Sequence, residues 1–162
     1  MHSTISPQEI RSLLEQQYDI ACKLKLILNQ EFTQLSDNDL LGLETSLAAK
    51  QKIVDMLEAI SWNFLSAVQQ YSPDTKDGIA KFLRHKDPEN KFGLEALWQQ
   101  IEELLSECRL KNSTNGKIIY LNHRKVQRAL EILRTGGQNS ETSYDLSGAN
   151  QSSTPSRILG KV

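Results

Sequence analysis

The sequence predicts an all-α protein: an elongated antiparallel helical hairpin, one long C-terminal helix that completes a coiled-coil-like three-helix bundle, and a disordered C-terminal tail. Three long stretches in which apolar residues recur at spacings of three and four predict the helices. The aromatic content of 6% in 162 residues is lean for a compact globule and typical of a helical bundle. We therefore expect a disordered N-terminus over 1–5, a helical domain over 6–135 and a disordered tail over 136–162.

The first two helices are predicted over about 7–34 and 37–71. In "SPQE", Ser6 can cap, Pro7 suits the first helical position, and Glu9 completes a capping box. Ser36 or Asp37 can cap the second helix, and the short link predicts an antiparallel hairpin. A repeat of three and four runs through the second helix, and eight of its ten positions are apolar: Leu40, Leu43, Leu47, Lys50, Val54, Leu57, Ser61, Phe64, Val68 and Tyr71.

After a short helix predicted over 79–85, the long helix is predicted over 94–134. It contains "NSTNG", in which Asn115-Gly116 is usually a hairpin signal. However, one repeat of three and four continues in phase on both sides, and a turn would have no reason to preserve it: Leu94, Trp98, Ile101, Leu105, Cys108, Asn112, Asn115, Ile119, Asn122, Val126, Ala129 and Leu133. We therefore expect one uninterrupted helix, with Gly116 tolerated at about 1 kcal/mol.

Three asparagines, Asn112, Asn115 and Asn122, occupy this repeat where leucine is expected, and two interpretations stay open. They lie in the core and fix helix pairing, at a cost in stability. Alternatively, the long helix outruns the hairpin and leaves a mixed polar and apolar groove that a partner helix fills. Under the second interpretation, Asn115→Leu would stabilise the free protein.

Other functions find little support in the composition. Nineteen basic and 20 acidic residues give almost no net charge, which argues against nucleic-acid binding. The basic run "HRKVQR" is better explained as cations near a helix C-terminus. We expect no catalytic residues, no metal site and no cofactor, hence no enzyme. The N-terminus has no signal-peptide pattern, and no apolar run is long enough for membrane insertion. The two cysteines, Cys22 and Cys108, indicate a reduced cytoplasmic protein or, less simply, a secreted protein with a single disulfide.

Several segments resemble the FlgN family of flagellar type III export chaperones. They are "AAKQKIVDMLEAI" (48–60), "LWQQIEELLSECRLKNSTNGKIIY" (97–120), "ALEILR" (129–134), and the tail segments "YDLSG" and "RILG". The most specific element is Asn112-x-x-Asn115-Gly116 within a long C-terminal helix that precedes a polar tail containing a tyrosine.

The resemblance implies a cytoplasmic chaperone that binds the C-terminal segments of hook–filament junction proteins, prevents their early assembly and delivers them to the cytoplasmic domain of the export gate. It implies gate docking at Tyr144. It places client binding around the asparagines, and the candidate residues are Asn112, Asn115, Gly116, Ile119, Asn122 and Val126. We expect a monomer or weak homodimer.

Two other classes remain as alternatives. A structural coiled-coil adaptor would close its exposed helical surface by self-association and would need no client. A helical DNA-binding protein would show binding that weakens steeply with salt.

Overall fold

A computed structural model describes residues 5–71 and 75–135. Four helices form in order: α1 (Pro7–Asp37), α2 (Leu40–Tyr71), α3 (Thr75–Lys86) and α4 (Leu94–Thr135). The all-α prediction is confirmed, and α4 is continuous through "NSTNG". Within the described residues, the chain divides after Asn122 into a first unit and a second unit. The predicted tail over 136–162 and residues 1–4 lie outside the described part of the chain.

Helix α1 begins as its sequence predicts and ends later than expected. The Glu9 backbone N–H donates to Ser6 Oγ (3.2 Å), and the Ser6 backbone N–H donates to Glu9 Oε2 (2.7 Å), which completes the capping box. The helix passes Gln34 and stops at Asn38, whose φ of 57° is left-handed, a conformation that asparagine tolerates.

Helix α2 begins later than expected, because the residue that caps it is Asp39. Its Oδ1 accepts from the Gly42 backbone N–H (3.0 Å). The two candidate caps, Ser36 and Asp37, belong to the last turn of α1, where the Ser36 hydroxyl donates to the Phe32 carbonyl (2.9 Å).

Two apolar clusters hold the first unit together, and in both of them α1 packs on α2 and α4. The larger cluster joins all four helices, and its buried members are Ile10, Leu14, Phe64, Val68, Phe82, Leu83, Leu94 and Ile101. The smaller cluster contains Leu24 and Leu28 of α1 and Cys108 of α4, with Ile53, Val54 and Leu57 of α2 packed against them. Burial of these side chains is the main stabilising contribution to the bundle.

The connection from α3 to α4 is built around Asp87, which is 8% exposed. Its two carboxylate oxygens accept from the backbone N–H groups of Lys91 (2.8 Å) and Phe92 (2.9 Å). Gly93 has a φ of 62°, a conformation that glycine adopts at no steric cost. This turn leads into Leu94, which is fully buried and anchors the start of α4.

Candidate binding surface and buried polar layer

The predicted site residues of the first unit lie on α4, but in very different environments. Asn115 is 2% exposed and belongs to the core. Asn112, Gly116 and Ile119 are exposed, and Asn122 is half-buried. The Asn115 side chain is therefore covered by the chain itself, as the core interpretation of the asparagines requires.

The side-chain amide of Asn115 ties α4 to α1. Its Nδ2 donates to the Leu28 carbonyl oxygen (2.9 Å) and to Glu31 Oε2 (2.7 Å). Both amide hydrogens therefore have acceptors on one neighbouring helix. A buried amide without such partners would be costly, so the local arrangement depends on Glu31.

Glu31 is the centre of a polar layer, by which we mean the buried Glu31 and Asn115 together with Lys50, which is half-buried, and Asn112, which is exposed. Its side chain is 1% exposed, and its Oε1 accepts from Lys50 Nζ of α2 (2.6 Å), whose side chain is 21% exposed. Lys50 Nζ also lies 3.4 Å from Asn112 Oδ1. Both carboxylate oxygens of Glu31 thus have a donor, one from each neighbouring helix.

The sequence predictions missed Glu31 and Lys50 as members of this group. A spacing signal could have found Glu31, because the buried residues of α1 recur at four and three: Ile10, Leu14, Gln17, Ala21, Leu24, Leu28, Glu31 and Leu35. Lys50 did appear in the α2 repeat. Polar residues in two facing repeats are expected to pair when the helices are aligned.

Gly116 is exposed, and a Cβ placed there would meet no atom of another described residue within 4 Å. Packing therefore does not require glycine at this position in the free chain. Its flexibility costs the helix about 1 kcal/mol relative to alanine. A bound partner could approach the helix backbone closely at Gly116, because glycine has no Cβ to keep it away.

Exposed apolar residues follow the polar layer along α4. In the first unit, Ile119 is 40% exposed and Leu121 is 53% exposed. In the second unit, every described residue from 123 to 135 is exposed. Val126, Leu130 and Leu133 share one face of that segment by their spacing of four and three. Apolar side chains in such a row usually have a partner.

A second polar contact between α1 and α4 lies on the surface. Lys25 Nζ and Glu107 Oε2 are 2.8 Å apart. The hydrogen bond from Lys25 lowers the pKa of Glu107, and the same bond raises the pKa of Lys25. Beside them, Cys108 is buried and its pKa is raised by burial, which disfavours the thiolate. Cys22 and Cys108 are both free thiols.

No group of three or more His, Cys, Asp or Glu side chains within residues 5–71 and 75–135 is placed to hold a metal ion. No helix in these ranges combines the length and apolar character that a membrane span needs. Tyr144, the predicted gate-docking residue, lies outside the described residues.

A helical bundle that leaves apolar residues of a long helix exposed is typical of proteins that bind a partner helix. The chain belongs to the FlgN family, because the family model described as FlgN protein matches residues 1–152. This membership implies a flagellar export chaperone for hook-associated proteins, not an enzyme. No curated protein and no solved structure matches the chain.

Proposed function

We propose that the protein is a cytoplasmic chaperone that binds the C-terminal segments of hook–filament junction proteins. It prevents their premature assembly and delivers them to the type III export gate. Family membership supports the general class, and the exposed apolar residues of α4 support the mode of binding. The observation that carries the proposal is Ile119, an isoleucine in the core-facing repeat of α4 that stays 40% exposed directly after the buried Asn115.

The proposed client surface comprises Asn112, Asn115, Gly116, Ile119, Asn122 and Val126. An amphipathic client helix would pack its apolar side chains on Ile119 of the first unit. Asparagines within the surface keep it compatible with water when no client is bound. Asn112 and Asn122 also discriminate between clients, since an incorrect partner would cover an amide without giving it a hydrogen-bond partner.

The three asparagines take different parts in this proposal. Both amide hydrogens of Asn115 are already bonded within the chain, so Asn115 supports the surface from beneath. Asn112 is exposed and Asn122 is half-buried, so their amides are the ones that reach a client. Docking at the export gate is assigned to Tyr144 from the family resemblance alone.

The experiment is a calorimetric titration of the full chain with a peptide from the C-terminal region of a junction protein of the same organism. Ile119→Glu should weaken binding at least tenfold, because it places a charge in an apolar contact. The matched control is Leu110→Glu, also an exposed apolar residue of α4 at 70% exposure, but on the opposite face by helical spacing. Both variants should unfold at the same temperature as the wild type.

Equal weakening by the two variants, or no binding by the folded wild type, would contradict the proposal. The alternative is a coiled-coil adaptor, in which the exposed residues of α4 meet a second copy of the chain. That adaptor would sediment as a dimer at micromolar concentration without any client, and Ile119→Glu would dissociate it. The chaperone proposal instead predicts a monomer or a homodimer that forms only weakly.

A further inference from the structure

The polar layer contains the buried carboxylate of Glu31, which is paired by residues of two neighbouring helices. Glu31 lies in the buried repeat of α1, where its neighbours along the helix are Leu28 and Leu35. A carboxylate that is 1% exposed is costly unless its oxygens are paired. Lys50 of α2 pairs one oxygen at 2.6 Å, and Asn115 of α4 pairs the other at 2.7 Å.

Helices that pack through repeats of three and four can align lengthwise in more than one way. A slide of one helix by seven residues, about 10 Å, replaces apolar residues by apolar residues at most contact positions. Apolar packing alone therefore discriminates weakly between the two alignments. A polar residue in the repeat removes the ambiguity when only one alignment satisfies its hydrogen bonds.

Each slide of α4 along α1 breaks the polar layer in a different way. One direction brings Cys108 to the place of Asn115, which leaves Glu31 Oε2 without its amide donor. The other direction brings Asn122 opposite Glu31 and keeps an amide there. However, it moves Asn115 into the place of Cys108, whose Sγ contacts the Ala21 carbonyl (3.8 Å) in a cluster with Leu24 and Leu28. That carbonyl can accept one amide hydrogen of Asn115, but the second amide hydrogen loses the carboxylate acceptor that Glu31 provides. Either slide therefore leaves at least one buried polar atom without its hydrogen bond, which opposes the slide.

We propose that Glu31 is a positioning residue that selects a single alignment of α4 against α1 and α2. Asn115 and Lys50 are its partners in this role. The selected alignment fixes where the covered part of α4 ends, so that Asn115 is buried while Ile119 is exposed. This inference rests on the proposed function only in identifying that exposed part as the client surface.

The test measures the alignment directly, without a client. Nitroxide labels are attached to the full chain at Gln16→Cys of α1 and Ser113→Cys of α4, both exposed positions, after Cys22→Ser and Cys108→Ala remove the native thiols. Pulsed electron-electron resonance then gives the distance between the labels. We expect one distance in the otherwise unaltered chain. Glu31→Leu/Asn115→Leu should add a second, displaced by up to about 10 Å for a seven-residue slide.

Two further variants keep the test decisive. Glu31→Gln keeps the size of the side chain but replaces one acceptor oxygen by a donor, so it should also add the second distance. Asn122→Leu makes the same apolar substitution one repeat further along α4 and leaves Glu31 paired, so it should keep the single distance. The proposal is overturned if the Glu31 variants keep the single distance, or if Asn122→Leu broadens it equally. Neither result depends on client binding.

Discussion

Lys50 of α2 holds its Nζ 2.6 Å from Oε1 of Glu31, a carboxylate of α1 that is 1% exposed. The lysine side chain is 21% exposed, so part of it remains in contact with water. The two partners therefore depend on this contact unequally. Lys50 can turn toward solvent if the pair is broken, whereas the Glu31 carboxyl group would stay buried without its ammonium partner.

Removing the cation should therefore destabilise the fold. We expect Lys50→Met to lower the free energy of unfolding by about 2–3 kcal/mol, toward the lower end for a broken buried pair because Lys50 is partly exposed. Urea denaturation at neutral pH measures this. Lys52→Met, at an exposed position of the same helix, should change stability by less than about 0.5 kcal/mol. Equal effects of the two variants would show that the contact adds nothing.

A second polar pair joins the same two helices, and it is incompletely satisfied. Gln17 Nε2 donates to Ser61 Oγ (2.9 Å), while Gln17 Oε1 is buried and has no hydrogen-bond partner among residues 5–71 and 75–135. Replacing both partners by apolar residues should remove this unpaired oxygen. We expect Gln17→Leu/Ser61→Ala to raise the free energy of unfolding by about 1–2 kcal/mol.

Thermal unfolding followed by circular dichroism measures this gain. The matched control is Gln16→Leu, which adds the same side chain at the neighbouring exposed position. It should leave the melting temperature nearly unchanged. A loss of stability in the double variant would mean that the Gln17–Ser61 bond is worth more than the unpaired oxygen costs.

These two pairs show how much the sequence could predict. The α2 repeat contains two polar residues, Lys50 and Ser61, and the structure pairs them with Glu31 and Gln17 of α1. The same spacing applied strictly to α1 would have placed Glu31 and Gln17 in its core-facing repeat. The pairing across the hairpin was therefore within reach of sequence reasoning, since polar residues in facing repeats seek one another.

The burial of Asn115 could not be predicted from the sequence. Its repeat position is compatible with both a covered and an uncovered helix face, and the choice depends on the alignment of α4 with α1, which brings Asn115 to Leu28 and Glu31. The sequence predicted that α1 ends near Gln34. The helix continues to Asp37, where Asn38 in a left-handed conformation stops it. The start of α2 was also predicted too early. Ser36, Asp37 and Asp39 are all residue types that can cap a helix, and only the backbone geometry selects Asp39.

The structure reverses the sign of one expected effect. For an uncovered Asn115, substitution by leucine would stabilise the free protein. In the structure, Asn115→Leu would leave Glu31 Oε2 and the Leu28 carbonyl without their amide donor, so it should cost about 1–3 kcal/mol. Asn112→Leu, on the exposed part of the same helix, is the comparison and should cost less. Urea unfolding of both variants gives the difference, and a more stable Asn115→Leu protein would contradict the buried hydrogen bonds.

The surface pair of Lys25 and Glu107 predicts a pH dependence of the α1–α4 contact. Because the pKa of Glu107 is lowered in the folded state, its stabilising contribution is present above the unfolded pKa of about 4.3. This contribution is lost as the pH falls through the lower, folded pKa. The pKa of Lys25 is raised, so its contribution is present below about pH 10.4 and is lost as the pH rises through the folded pKa.

Glu107→Gln should remove the Glu107 part of the acid dependence and leave the protein folded at neutral pH. The measurement is the urea midpoint between about pH 2.5 and 6, a window that spans the carboxylate titration. Lys25→Met provides the matched variant, since it removes the partner that lowers the Glu107 pKa. The double variant should then resemble Glu107→Gln, because the two changes break one contact. If the two single effects simply add, the two groups titrate independently and the 2.8 Å contact does not couple them.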